Sequence, residues 1–464
     1  MANCKFLKQK KQVQINGEWV DTRSYRYLPY CDGKTPHLYV KGGEENNPVT
    51  IHMYNPGQGD IRKTVYLDKN GELYLELKSD NIIYGLSFLN DPEFVEIAGC
   101  YVHSVCDFIT YDTTLSISCS TYVLAGSDAD VKPSGFYYKK LILDSFDISN
   151  VTDGSRMFSS RGLESIEGLQ TIDTSSLKAM SYMFYDCSKL TSLDLSNFIT
   201  SKVMYMDYMF ADCKSLNALD LSNFNVSKVL TTLGMFSGCS NLESLDLSRF
   251  ITPNLKQMQN MFDGCANLKS IDVSNLNTSK VKDMSCVFQN CSSLTSLDLS
   301  SFDTSLVKDM SNMFKGCTSL TSLDLSNFNC KNINSIDGMF ENCTSLESLN
   351  LSGFKPNFTD ASNVDTSMAH LFYGCRNLKH LDLSGWHIGL STYSSGMFCE
   401  CVNLETLNLS NWYWGSYGYP ARDTWSYCRS LKTIYMQNCN DIVIRWVKDG
   451  LKYEGLLDQV TIIT

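Results

Sequence analysis

Cysteines, aspartates and clustered aromatics are the residues of this 464-residue chain whose type and spacing invite chemistry. Cysteines recur at Cys187, Cys213, Cys239, Cys265, Cys291, Cys317 and Cys343, every interval being 26 residues. The series continues at Cys375, Cys401 and Cys428 after intervals of 32, 26 and 27. A metal or redox centre asks for thiols within a few residues of each other, and only Cys399-x-Cys401 and Cys286 with Cys291 come near that. Equivalent cysteines stacked about 4.8 Å apart stand wider than the ~3.8 Å Cβ separation of a disulfide. The ladder therefore reads first as buried, reduced core residues, with disulfides and metal as the alternatives.

Carboxylates form a second file. Asp194, Asp220, Asp246, Asp272, Asp298 and Asp324 share one phase and are followed by Asn350, Asp382 and Asn408. They alternate with leucines and have serines beside them, so they are expected on the open side of a sheet. Like charges in such a file repel by about a few tenths of a kcal/mol per neighbour at a solvated surface. Scaffold hydrogen bonding, a docking face for a partner and calcium are the three readings. Glycoside hydrolysis needs one asymmetric carboxylate pair, whereas this file is uniform. Asp220, Asp246, Asp272, Asp298 and Asp324 are the candidate ligand-binding residues of the central face.

A third candidate is aromatic. Trp412, Tyr413, Trp414, Tyr417, Tyr419, Trp425 and Tyr427 crowd together, with Gly415, Gly418 and Pro420 marking a loop. Trp412 and Trp425 read as core. Trp414, Tyr417 and Tyr419 are the candidate terminal contact, since aromatic faces with polar tips suit sugar or protein recognition; packing of a terminal cap is the alternative. No Gly-x-Ser-x-Gly, His-Glu-x-x-His or Gly-x-x-x-x-Gly-Lys motif occurs, and His370, His380 and His387 lack ligand-like spacing. The chain reads as a non-enzyme with no metal and no cofactor.

These side chains must be positioned by a repeat. Met-Phe precedes most of the cysteines, as in Met183-Phe184 and Met313-Phe314, and a Leu-x-x-Leu-Asp-Leu-Ser pattern follows, as in 190–196. Leu193 and Leu195 alternate with polar neighbours, the period of a strand with one buried face. Asn197 and Phe198 turn the chain. Val281, Met284, Phe288 and Cys291 fall on one helical stripe, with Thr278 or Ser279 as its N-cap. One strand and one short helix cannot bury their faces alone, so copies must stack around a continuous core. The expected fold class is an α/β repeat solenoid: a right-handed array with a parallel sheet face and short helices, roughly 50–60 Å long at ~4.8 Å per rung.

The pattern Leu-x-x-Leu-x-Leu-Ser-Asn-Phe followed by Met-Phe-x-x-Cys resembles the 26-residue leucine-rich repeat of BspA-like bacterial surface proteins, over roughly 141–439. That resemblance implies adhesion or recognition at a cell surface, without enzymatic activity. Family members are normally exported. The opening Met-Ala-Asn-Cys-Lys-Phe-Leu-Lys lacks the apolar stretch of a signal peptide, so virion-associated and cytoplasmic locations stand beside the surface.

Four regions are expected: a β-rich attachment module at 1–90, a cap or degenerate repeats at 91–140, the array at 141–439, and a C-terminal cap at 440–464. Val13–Val20 around Asn16-Gly17 and Val65–Leu77 around Asn70-Gly71 read as hairpins. Lys10–Trp19 with Tyr25-Arg26-Tyr27 faintly resembles N-terminal anchoring segments of phage tail proteins. At the other end Asn440 is expected to cap a helix to about Lys448, stopped by Gly450, before a last strand at 460–463. The 32-residue interval places an insertion at 355–363, of the kind that emerges as a surface loop.

Formal charge is −11, which opposes non-specific binding to nucleic acid or anionic lipid. No apolar run reaches the ~18–20 residues of a membrane helix. The expected function is non-enzymatic recognition or adhesion, binding a protein or carbohydrate surface through the array, with the N-terminal module as a route to oligomerisation. An appendage component of the phage tail or fibre kind and an intracellular interaction scaffold are the alternatives.

Overall fold

The computed structural model describes residues 12–15, 18–21, 36–42, 44–55, 58–77, 82–88, 93–102, 113–121, 138–143, 146–149, 151–358, 367–388, 393–414 and 423–464. The chain divides into two compact units, Met1–Val203 with Asp212–Phe224, and Met204–Ala211 with Asn225–Thr464.

In the first unit, β1 (Gln12–Ile15) and β2 (Glu18–Asp21) pair antiparallel with Ile15 opposite Glu18, the hairpin expected around Asn16-Gly17. Then come β3 (His37–Lys41), β4 (Pro48–Asn55), β5 (Gly59–Tyr66), β6 (Glu72–Glu76), β7 (Ile82–Phe88), β8 (Phe94–Val102), β9 (Thr113–Thr121), β10 (Tyr138–Leu143) and β11 (Ser165–Glu167). The second expected hairpin does not form. The turn at Asn70-Gly71 exists, with the Gly71 N–H donating to Asp68 O at 2.9 Å. Its flanking strands separate, however: β5 pairs with β4 and β6 with β3. An Asn-Gly turn fixes only the local reversal, and Val49, Ile51, Leu38 and Val40, all buried, draw each strand to a different partner.

From β7 onward the pairing is parallel, in the order β7-β8-β9-β10-β11. Leu115 stands in register with Val95 and Leu141, and Leu141 with Ile166. Parallel stacking thus begins ahead of the first clear Leu-x-x-Leu copy.

The second unit is a β-solenoid of stacked coils. Its strands are β12 (Ser322–Asp324), β13 (Ser348–Asn350), β14 (His380–Asp382), β15 (His387–Ile388), β16 (Thr406–Asn408), β17 (Tyr413–Trp414), β18 (Thr433–Tyr435) and β19 (Thr461–Ile463). All their pairings are parallel, with Leu323 on Leu349 and Leu381 on Leu407 on Ile434. Phenylalanines fill the interior as a stack: Phe210, Phe236, Phe262, Phe288, Phe314, Phe340, Phe372 and Phe398 lie 5.4–6.0 Å apart between neighbouring ring centroids. Offset stacking at that spacing suits rings of like quadrupole.

The expected short helices are absent from the described repeats of the second unit, which have consecutive turns there. In the coil from Val281, the N–H groups of Met284, Cys286, Phe288 and Asn290 donate to Asp309, Ser311, Met313 and Lys315 of the next coil, at 2.6–2.9 Å. Between them, Gln289 and Cys291 N–H close turns onto Cys286 O and Phe288 O. Left-handed residues at Cys286 (φ 58) and Asn290 (φ 56) reverse the path every four residues. Four-residue turns place apolar side chains inward at almost the helical period, which is why the pattern imitates a helix. A residue with a Cβ costs about 1–2 kcal/mol in that conformation, and Asn, Asp and Gly hold most of these positions.

Thr278 is no N-cap. Its buried hydroxyl accepts from Asp303 N–H at 2.8 Å and donates to Asp303 O at 2.9 Å, clipping one coil to the next. Thr304 does the same to Asn329.

The C-terminal end follows the expectation in outline. Asn440 caps α1 (Asp441–Tyr453) by accepting from Val443 N–H, and β19 adds to β18. Gly450 does not stop the helix; it lies inside it. A Cβ there would come within 2.5 Å of Trp425 Nε1, so glycine marks a close approach of helix and indole. The insertion is described only to Phe358, which is buried, and from Ser367 onward; 359–363 lie outside the described residues.

Candidate functional site

The cysteines are internal clips. Cys239, Cys265, Cys291, Cys317, Cys343, Cys375, Cys401 and Cys428 are buried and unbridged. Each thiol donates to the carbonyl of a phenylalanine in the preceding coil, at 3.1–3.2 Å. In the first unit Cys187 and Cys213 reach Phe158 O and Phe184 O in the same way. Burial pushes the Cys265 and Cys291 thiols well up and the Cys317 thiol to about 12. A thiol that stays protonated is a donor and a small apolar filler, and a poor nucleophile. Among the described residues, no group of three or more His, Cys, Asp or Glu side chains is arranged to hold a metal ion.

Every file aspartate is exposed: Asp194 and Asp220 in the first unit, Asp246, Asp272, Asp298 and Asp324 in the second. Each accepts, on Oδ1, the N–H of the serine two residues on, at 2.8–3.0 Å, and of the six only Asp324 ends a regular strand, the expected strand being irregular in the other coils. This is an Asx turn. Asn350, Asp382 and Asn408 repeat it at 2.8–3.1 Å. The serine backbone N–H and hydroxyl hold the carboxyls of Asp220, Asp272 and Asp298 below the usual carboxylate range. Hydroxyl and N–H do so for Asp194, and for Asp324 with Asn350 assisting. The Asp272 charge opposes this at Asp298, yet the net shift there is still downward. Local hydrogen bonds therefore outweigh repulsion along the row. The file combines a turn-forming bond on one oxygen with a retained exposed negative charge.

Beside the turn, the asparagine of Leu-Ser-Asn-Phe is structural. Asn327 Nδ2 reaches Leu299 O, Ser300 O and Phe302 O at 3.1–3.3 Å.

The aromatic candidate is corrected at Trp414. Trp414 is 1% exposed, packed with its ring 5.2 Å from Trp446 of α1, and cannot present a face to a ligand. It alternates in β17 with Tyr413, which is 52% exposed. The signal was the strand period: with Trp412 inward, Tyr413 points out and Trp414 in again. Trp412 and Trp425 are buried as expected. Tyr417 and Tyr419 lie outside the described residues. Among the described residues, the exposed aromatics near this end are Tyr393, Tyr413, Tyr427, Tyr435 and Tyr453, none of which the sequence reading selected as a contact. Among the described residues no helix is long and apolar enough to cross a membrane.

The family described as "Mycoplasma protein of unknown function, DUF285" matches residues 135–250 and 256–364, and the family described as "BspA type Leucine rich repeat region (6 copies)" matches residues 355–445. Among curated proteins none matches the chain. Among solved structures it is similar to TLR13 in a complex with ssRNA13, at 14% identity and TM-score 0.23, covering 84% of this chain and 74% of that one. It is also similar to the mouse RP105/MD-1 complex, at 15% identity and TM-score 0.24, covering 79% of this chain and 59% of that one. The 26-residue spacing, the stacked coils and the match at 355–445 support a BspA-like leucine-rich repeat protein.

Proposed function

We propose that the chain is a non-enzymatic recognition protein that meets a protein or carbohydrate surface through the exposed aspartate row of its repeats. The N-terminal β-rich module, in this reading, attaches or orients the array, and adhesion is the setting that the BspA-like kinship suggests. The observation that supports it most is the second unit's row Asp272, Asp298 and Asp324. These are exposed carboxylates, each fixed by a turn bond and each kept ionised by it. A partner meeting several coils at once gains many modest contacts, which is how a flat repeat surface reaches useful affinity.

The test follows from the turn chemistry. Alanine at these positions removes the Asx bond along with the charge. Asparagine removes only the charge, since Asn350 and Asn408 already hold the same turn. The intact chain and the variant Asp272→Asn/Asp298→Asn/Asp324→Asn are applied to arrays of surface proteins and glycans. Spots bound by the parent should lose at least about tenfold in affinity with the variant. Equal binding by both removes the row as the contact site.

A further inference from the structure

A second charged row stands on the same unit. Lys256, Lys282 and Lys308 are exposed at equivalent positions of three consecutive coils. The backbone locks two of them together, with Lys308 N–H donating to Lys282 O at 2.8 Å; Asn334 N–H continues onto Lys308 O at 2.7 Å. None of the three ammonium groups enters an ion pair among the described residues. The unit's described pairs use other side chains: Lys269 with Glu243, Lys315 with Glu341, Arg376 with Glu400 and Lys432 with Glu405.

The lysine row cannot neutralise the aspartate row of its own molecule. Within one coil, Asp272 and Lys282 are ten residues apart with two turns between them, at Ser274-Asn275 and at Ser279-Lys280. The rows therefore lie on different sides of the coil. Both repeat once per coil, so they share one pitch. An outside partner would have to match that spacing by chance, whereas a second copy of this chain matches it necessarily.

We propose that Asp272, Asp298 and Asp324 of one copy dock against Lys256, Lys282 and Lys308 of another, so that the chain associates side to side through rows of equal pitch and opposite charge. The proposal rests on the preceding reading of the aspartate row as a contact face, and names its partner. The two rows are different surfaces, so the contact is heterologous: each copy keeps one free row of each sign, and assembly continues beyond the dimer. Single exposed pairs are weak and screened by salt. The contact gains its strength from register across several coils, so it is concentration- and salt-dependent.

Sedimentation velocity of the full chain, taken up to about 100 µM in about 20 mM and about 500 mM salt, reads this directly. Association in low salt should weaken at least about tenfold in high salt. Asp272→Asn/Asp298→Asn/Asp324→Asn and Lys256→Gln/Lys282→Gln/Lys308→Gln should each stay monomeric alone, with unchanged circular dichroism. Mixed in equal amounts, the two variants should form a one-to-one complex and nothing larger, because each retains the row that the other lacks. A parent that remains monomeric in low salt, a variant that associates like the parent, or a mixture that does not pair overturns the proposal. The two readings fail separately. A monomeric parent whose array binding is lost in the asparagine variant sinks self-association alone. A self-associating parent whose variant keeps full array binding sinks the outside partner alone.

Discussion

At the scale of single residues, the repeat is held by side chains that answer the backbone of a neighbouring coil. Cysteine, threonine and asparagine each do so at fixed phase: a thiol on a phenylalanine carbonyl, a hydroxyl bridging an N–H and a carbonyl, an amide on carbonyls of the preceding coil. The phase of these residues is visible in sequence, but their bonds are not, because a buried cysteine reads equally well as a small apolar filler. Cys291→Ala separates the two roles. It deletes the sulfur's contacts and takes one of two donors from Phe262 O, which keeps the N–H of Cys265 at 3.1 Å. A loss of about 1–2 kcal/mol is expected in urea unfolding, the sum of a small cavity and one lost hydrogen bond. Cys291→Ser keeps a donor and should fall between the parent and the alanine variant.

Elements were legible to the degree that their period was unambiguous. Leu323 and Leu325, both buried around exposed Asp324, give a strand in any reading, and β12 is there. The stripe Val281, Met284, Phe288 and Cys291 fits two structures, and the hydrogen bonds decide: the N–H groups of Met284 and Phe288 point along the stack, not four residues back. Asn70-Gly71 likewise specifies a turn without specifying which strands will pair. The C-terminal helix was readable from its cap and apolar face, but its length was not, since Gly450 is set by Trp425 and not by a helix stop. Helix propensity alone predicts that Gly450→Ala stabilises α1 by about 1 kcal/mol. The indole edge at 2.5 Å from the would-be Cβ reverses that sign. Moving α1 off Trp425 disturbs a cluster in which Trp446 also packs against Trp412 and Trp414. Gly450→Ala should therefore destabilise by about 1–3 kcal/mol, the usual penalty of overpacking. Thermal melting followed by tryptophan fluorescence reads it, and a raised melting temperature would show that propensity wins.

For the molecule as a whole, the carboxylates make stability a function of pH, and the sign follows from their shifts. Asp194, Asp220, Asp272, Asp298 and Asp324 are all held below the usual range by serine hydrogen bonds, and Glu243, Glu400 and Glu405 by cationic partners. A group depressed in the folded state takes up its proton first in the unfolded chain. Its contribution is complete above the unfolded value of about 4 and disappears as pH falls through the folded value. Asp263 has the opposite sign: burial raises it despite Gln289 and Asn290, so its share is lost as pH rises through its folded value. Among the described residues one raised carboxyl faces many lowered ones, and acid must destabilise. The melting temperature should be nearly flat from about pH 8 to about pH 6 and fall steeply below about pH 4.5. Repulsion along the row predicts the reverse, because protonation would relieve it. The two effects separate in Asp272→Asn/Asp298→Asn/Asp324→Asn, which keeps the turns and removes three titrating groups. If the serine bonds dominate, as the downward shift of Asp298 beside charged Asp272 indicates, the variant's melting temperature declines less in acid than the parent's. A variant that declines as steeply as the parent would mean that these carboxylates form their turns without being stabilised by them in the ionised state.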